Sequence, residues 1–143
     1  MRTPSSTILS FAIGCLLLVA SIGCGPPIGP TSGIVRFDAG EPVRSGSIEF
    51  RRLSDKERFA SRISPEGEFQ PANQAGEIGL PPGSYEVVVV QIVLTEDLAK
   101  SVHAHGNTVP RRYADYYTSG LSVEVAEAQT EPIELILETD DAS

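Results

Sequence analysis

Few residues in this chain are suited to chemistry, and they cluster in a few places. His103-Ala104-His105 sets two imidazoles two positions apart. On a strand such residues share a face, so both rings could meet one zinc or copper ion. A zinc site needs three or four ligands, and Glu96 and Asp97 are nearby carboxylates that could complete one. Without such help the pair reads as two solvated loop histidines, and no metal is expected. The same two histidines are the only ones available as a base for a nucleophile. No Gly-x-Ser-x-Gly elbow is present, and Ser84 follows Gly83 in a turn rather than at a strand-to-helix elbow. Catalysis is therefore not expected, and no cofactor is implied. Asp38, Glu41, Glu66 and Glu68 fall in turns, where carboxylates can gather a hard cation, but their spacing forms no acidic ligand loop.

Two further groups could form an interaction surface. Arg111, Arg112, Tyr113, Tyr116 and Tyr117 bring together the residue types enriched at binding hot spots. The structural alternative packs Tyr113 into the end of the fold and pairs Arg111 or Arg112 with Asp115. That alternative is the one expected here. Val88, Val90 and Ile92 form the second group. If Tyr85, Val87 and Val89 face the core, these three line the opposite face as an apolar stripe. Such a stripe needs a cover, and the Thr95–Thr108 segment is the expected one, ahead of a partner protein.

The N-terminus supplies an address. Arg2 precedes an uncharged run, Ile8–Ile22, rich in Leu, Ile, Val and Ala. At 15 residues it is shorter than the roughly 20 a membrane-spanning helix needs. It ends at Ser21-Ile22-Gly23-Cys24, followed by Gly25-Pro26-Pro27. This order predicts a cleaved secretory signal over residues 1–23, and the cysteine at the cleavage point predicts a bacterial lipoprotein acylated at Cys24. Ser21 stands where such signals usually carry Leu. The rival Phe11-Ala12-Ile13-Gly14-Cys15 would cut the apolar run in half. The expected location is the cell envelope, on a membrane and facing the periplasm or exterior. Residues 24–32 read as a Pro/Gly linker.

Loss of residues 1–23 removes Arg2 and makes the net charge one unit more negative than the −8 of the 143-residue chain. An acidic chain lacks the basic patch that phosphate binding requires, so nucleic acid is not an expected partner. Of two cysteines, only Cys24 survives cleavage, which leaves no intramolecular disulfide. The core must come from Val, Ile, Leu, Phe and Tyr.

From Gly33 onward the chain reads as short strands between turn signals. Strands are predicted at Gly33–Phe37, Ser47–Arg51, Phe59–Ile63, from Phe69, at Tyr85–Val93, Leu121–Val125 and Ile133–Leu137. Ile48 and Phe50 should face the core. Leu80-Pro81-Pro82-Gly83 forces a turn ahead of the long strand, whose four consecutive valines favour β geometry. Glu96–Lys100 could form one helical turn capped by Thr95. The fold class expected is all-β, a single antiparallel seven-stranded sandwich over residues 33–138, with an acidic tail at 139–143.

The motifs resemble a family. Gly33-Ile34-Val35, Gly40-Glu41-Pro42-Val43 and Gly46-Ser47-Ile48-Glu49-Phe50 are similar to the opening of carboxypeptidase regulatory-like domains. Pro65-Glu66-Gly67-Glu68-Phe69 resembles their "D-G-x-F" turn, with Glu66 for Asp. Leu80–Val87 resembles their "L-x-P-G-x-Y-x-V" strand start. Val109-Pro110-Arg111-Arg112-Tyr113-Ala114-Asp115 and Thr118-Ser119-Gly120-Leu121 resemble a "P-x-K-Y-x-D…S-G-L" stretch of small bacterial lipoproteins, with Arg112 for Lys. The resemblance covers Gly33 to Leu137 and leaves Thr95–Thr108 unmatched. It implies a transthyretin-like or immunoglobulin-like sandwich in a lipoprotein and implies no catalytic residue. The function expected is non-enzymatic: a lipid-anchored module for binding, adhesion or scaffolding. Its partners would be the membrane, through the lipid on Cys24, and an envelope protein or polysaccharide. The alternatives are a periplasmic metal- or solute-binding protein and an accessory module for an envelope hydrolase.

Overall fold

A computed structural model describes residues 29–92 and 107–140. Cys24, His103, His105 and the Thr95-capped turn lie outside the described residues. Those described are mostly strand, in two sheets of three and four strands. β1 (Gly33–Phe37), β4 (Glu68–Phe69) and β7 (Ile133–Leu137) form the smaller sheet in the order β4-β1-β7. β2 (Ser47–Arg52), β3 (Arg58–Arg62), β5 (Gly83–Val90) and β6 (Leu121–Val125) form the larger in the order β3-β2-β5-β6.

Alternation explains which residues are inside. On β2, Ile48 and Phe50 are fully buried, and on β7 Ile133, Leu135 and Leu137 are buried while Glu134 and Ile136 face out. One hydrophobic cluster draws on both sheets, from Val35, Phe37, Phe69 and Leu137 on one side to Phe50, Phe59, Tyr85 and Val87 on the other. Phe50 contacts Phe69 across the sheets at 5.5 Å between ring centroids, and Tyr85 lies edge-on to Phe50 and Phe59 at 6.5 and 6.0 Å. Offset and edge-on rings suit the aromatic quadrupole. The Tyr85 hydroxyl donates to the Pro81 carbonyl, which ties the proline turn to the strand it starts.

Two expectations are corrected. The pairing is not wholly antiparallel: β1 runs parallel to β7, with Gly33 opposite Ile133 and Phe37 opposite Leu137. Alternation reports which face a residue takes, not which strand it pairs with. The long strand ends at Val90, so Gln91 and Ile92 lie beyond it. Pro110–Gly120, for which the sequence predicts no element, forms helical turns: a 3-10 helix η1 (Arg111–Ala114) and a short α-helix α1 (Tyr116–Ser119).

The chain also joins the fold earlier than the 24–32 linker implies. Pro30 is fully buried, and its carbonyl accepts from Leu80 N at 3.0 Å. Ser32 O accepts from Ile133 N at 3.0 Å. Gly29 sits at φ +78°, and a Cβ there would lie 1.9 Å from the Leu80 carbonyl oxygen. Only glycine fits that approach.

Candidate functional site

Pro110–Gly120 carries most of the expected interaction residues, so its construction decides what they are free to do. Pro110 is buried and starts η1. Tyr113 enters the core cluster at 4% exposure. Its hydroxyl accepts from Glu138 N at 2.9 Å, which fastens η1 to the end of β7. Arg112 lies 4.6 Å from the centroid of the Tyr113 ring. Its guanidinium donates to the Tyr113 hydroxyl at 3.2 Å and to the Glu138 carbonyl at 2.9 Å, and pairs with Asp140. The Tyr113 hydrogen bond first, and Asp140 with it, holds the guanidinium above its ordinary range.

Asp115 does something other than pair with an arginine. It caps α1, its carboxylate accepting from Tyr117 N at 2.7 Å. Asp is a preferred residue for satisfying the free N–H groups of a first helical turn. At the other end Gly120 takes the left-handed conformation, φ 65°, in which helices commonly stop. Between them Thr118 Oγ1 donates to Arg112 O at 2.6 Å, and the buried Ser119 hydroxyl donates to Val87 O at 2.6 Å. Arg112, Tyr113, Asp115 and Ser119, all of which fall on the "P-x-K-Y-x-D…S-G-L" pattern, thus each have a structural task.

Both turns pack on β5. Tyr116 reaches the outer face of the larger sheet, where Glu49 and Arg51 of β2, Arg58 of β3 and Glu86 and Val88 of β5 lie side by side. The Tyr116 hydroxyl donates to Glu49 Oε1 at 2.7 Å, and the Arg51 guanidinium stacks on its ring, 3.8 Å from the centroid. Arg51 Nε donates to Glu86 Oε2 at 2.9 Å. Arg58 lies 3.7 Å from Glu49. Burial, then the bond to Glu49, raises the Tyr116 phenol above its ordinary 10.0. The bond to Glu86 chiefly raises Arg51. The result is a stacked cation over a clamped phenol, with both partners occupied.

The apolar stripe divides. Val88 is buried at 6%, Val90 is half-buried, and Ile92 is 81% exposed. Val88 therefore belongs to the packed molecule and is removed from the candidate surface. The Thr95–Thr108 cover lies outside the described residues except at its end. There Asn107 donates to Glu41 Oε2 at 3.1 Å, and Val109 N donates to Gln91 Oε1 at 2.9 Å.

Of the expected surface residues, Arg111, Tyr117 and Ile92 remain exposed, Tyr117 at 97%. Among the described residues no three His, Cys, Asp or Glu side chains gather as a metal site. Asp38 instead accepts from Ala39 N at 2.9 Å. Ser84 donates to Glu124 at 2.7 Å in an exposed contact on the larger sheet. Sequence reasoning missed a shallow groove of about 700 Å³ between the β3 and β4 edges, lined by Ser32, Ile34, Arg62, Glu68, Phe69 and Gln70. Its walls come from different sheets, so no local spacing announces it. The Ser61 hydroxyl at its margin is already occupied, accepting from Gln70 N at 2.8 Å.

No known protein family, curated protein or solved structure matches this chain.

Proposed function

We propose that this protein is a bacterial envelope lipoprotein whose transthyretin-like β-sandwich, of the carboxypeptidase regulatory-like kind, serves in binding, adhesion or scaffolding without catalysis. The observation that carries the reading is the uncharged run Ile8–Ile22 ending at Cys24 and Gly25-Pro26-Pro27. A single acyl chain gives only marginal membrane binding, whereas several chains together hold firmly. Cys24 is the attachment point and the membrane the first partner. The second is an envelope protein or polysaccharide. The fold supports this reading in kind: two sheets share one core, and loops at the sheet ends are where binding residues collect. Arg111 and Tyr117 are the exposed candidates for that contact.

The test is the intact mass of the mature N-terminal peptide, from membrane and soluble fractions of cells making the full chain. An acylated peptide beginning at Cys24 is expected in the membrane fraction. An unmodified N-terminus, or cleavage elsewhere, sinks the lipoprotein reading and leaves a freely secreted domain.

A further inference from the structure

The position at which the chain enters the fold limits how the domain can stand on a membrane. Pro30 is fully buried and hydrogen-bonded through its carbonyl to Leu80, and Gly29 fits against the Leu80 carbonyl with no room for a side chain. Cys24 is therefore separated from the anchored Gly29 by five residue steps. Five residue steps extend at most roughly 18 Å. β5 alone, with eight residues, spans about 26 Å at about 3.3 Å per residue. The tether is shorter than the domain it holds.

The topology sets which end is tethered. Pro30 precedes the start of β1, which is paired to the start of β7. The Leu80 contact brings in the turn that starts β5, and Gly83 is paired to Val125 at the end of β6. The near end thus holds the turns at 53–57, 79–82 and 126–132. The far end holds the β1–β2 turn at Asp38–Gly40 and the Pro110–Gly120 segment, which Tyr113 fastens to Glu138 just after β7.

We propose that the Pro30 clamp gives the protein a fixed polarity on the membrane: the 126–132 end is held against the lipid surface, and the Asp38–Gly40 and Pro110–Gly120 end is turned away from it. This rests on acylation at Cys24. An inverted stance would need a tether longer than the domain. Arg111 and Tyr117, both exposed, then stand at the end away from the membrane.

The test places a single fluorophore on Cys at exposed turn positions, Glu131→Cys at the near end or Ala39→Cys at the far end, in full chains purified from membranes. Cys24 is blocked by its own lipid. Each protein is set in zwitterionic vesicles with a quencher on the lipid headgroup, after the mass of its N-terminal peptide is read. Most of the emission is expected to be lost at position 131, and little at position 39. A third protein, with about twenty Gly/Ser residues inserted between Pro27 and Ile28, should lose most of that difference, because its tether then exceeds the domain. Equal quenching at both positions in acylated protein with the native tether overturns the fixed polarity and leaves the lipoprotein reading standing. A peptide without lipid overturns both.

Discussion

The outer faces of the two sheets carry similar residue types and use them differently. On the larger sheet Glu49, Arg51, Arg58 and Glu86 are drawn together under Tyr116, and Val88 beside them is buried. On the smaller sheet Arg36 and Glu134 stand 3.9 Å apart with side chains 44% and 59% exposed, and Ile136 beside them is 58% exposed. Among the described residues the difference is the Pro110–Gly120 segment, which packs on the larger sheet. Charges in water interact weakly, because solvent screens them and ordering two long side chains costs entropy. An aromatic ring laid across them removes part of that solvent. Among the described residues, what distinguishes the two faces is therefore coverage, not charge content.

The comparison breaks most sharply if the cover is pulled away. Tyr113→Ala removes a buried aromatic and its bond to Glu138. It should cost about 3–5 kcal/mol, read as a lowered midpoint in urea unfolding, and should expose Val88 to solvent. A loss below 1 kcal/mol would mean the segment contributes little to the fold. Ser119→Ala leaves the Val87 carbonyl without its buried donor and should cost about 1–3 kcal/mol by the same measurement, with the core otherwise unchanged. Tyr116→Phe tests the face through pH. The folded state holds the Tyr116 proton more tightly than the unfolded chain does, because its pKa lies above the ordinary 10.0. Its contribution is complete below pH 10 and is lost as the pH rises above that value. The wild-type midpoint should fall between pH 10 and 11, and the Phe variant should fall less. Parallel curves would show that neither burial nor the Glu49 contact perturbs the phenol. The smallest effect belongs to the uncovered face, where Glu134→Gln should change stability by at most about 0.5 kcal/mol.

Much of the strand framework was legible in the residues. Ile48 and Phe50, or Ile133, Leu135 and Leu137, alternate with polar neighbours because one face of each strand meets the core. The partner of each strand was not legible, since alternation is the same whether β7 lies parallel or antiparallel to β1. The helical turns at Arg111–Ala114 and Tyr116–Ser119 escaped because four residues are too few to show a 3.6-residue period. Their boundary signals, Asp115 and Gly120, were present in the sequence. Arg112 was expected to meet a neighbour and meets Asp140 and the Glu138 carbonyl instead, 28 and 26 residues away. Local spacing misses such a pairing because the chain has folded back in between. The burial of Val88 escaped for a related reason: alternation along β5 places it on the outer face and does not report what packs there.

The parallel pairing of β1 with β7 also places a clock in the polypeptide. Gly33 waits for Ile133, roughly one hundred residues later, before the smaller sheet gains its third strand. Until then β1 has beside it the two-residue β4 and the Glu41–Val43 stretch, which is bridged to Val35–Phe37. At synthesis rates of roughly 5–20 residues per second, that wait lasts on the order of 5–20 s. During it the smaller sheet lacks Ile133, Leu135 and Leu137, which belong to the shared core. Contacts so distant in sequence also slow folding once the chain is whole. Completion of the fold is thus coupled to delivery of the last strand.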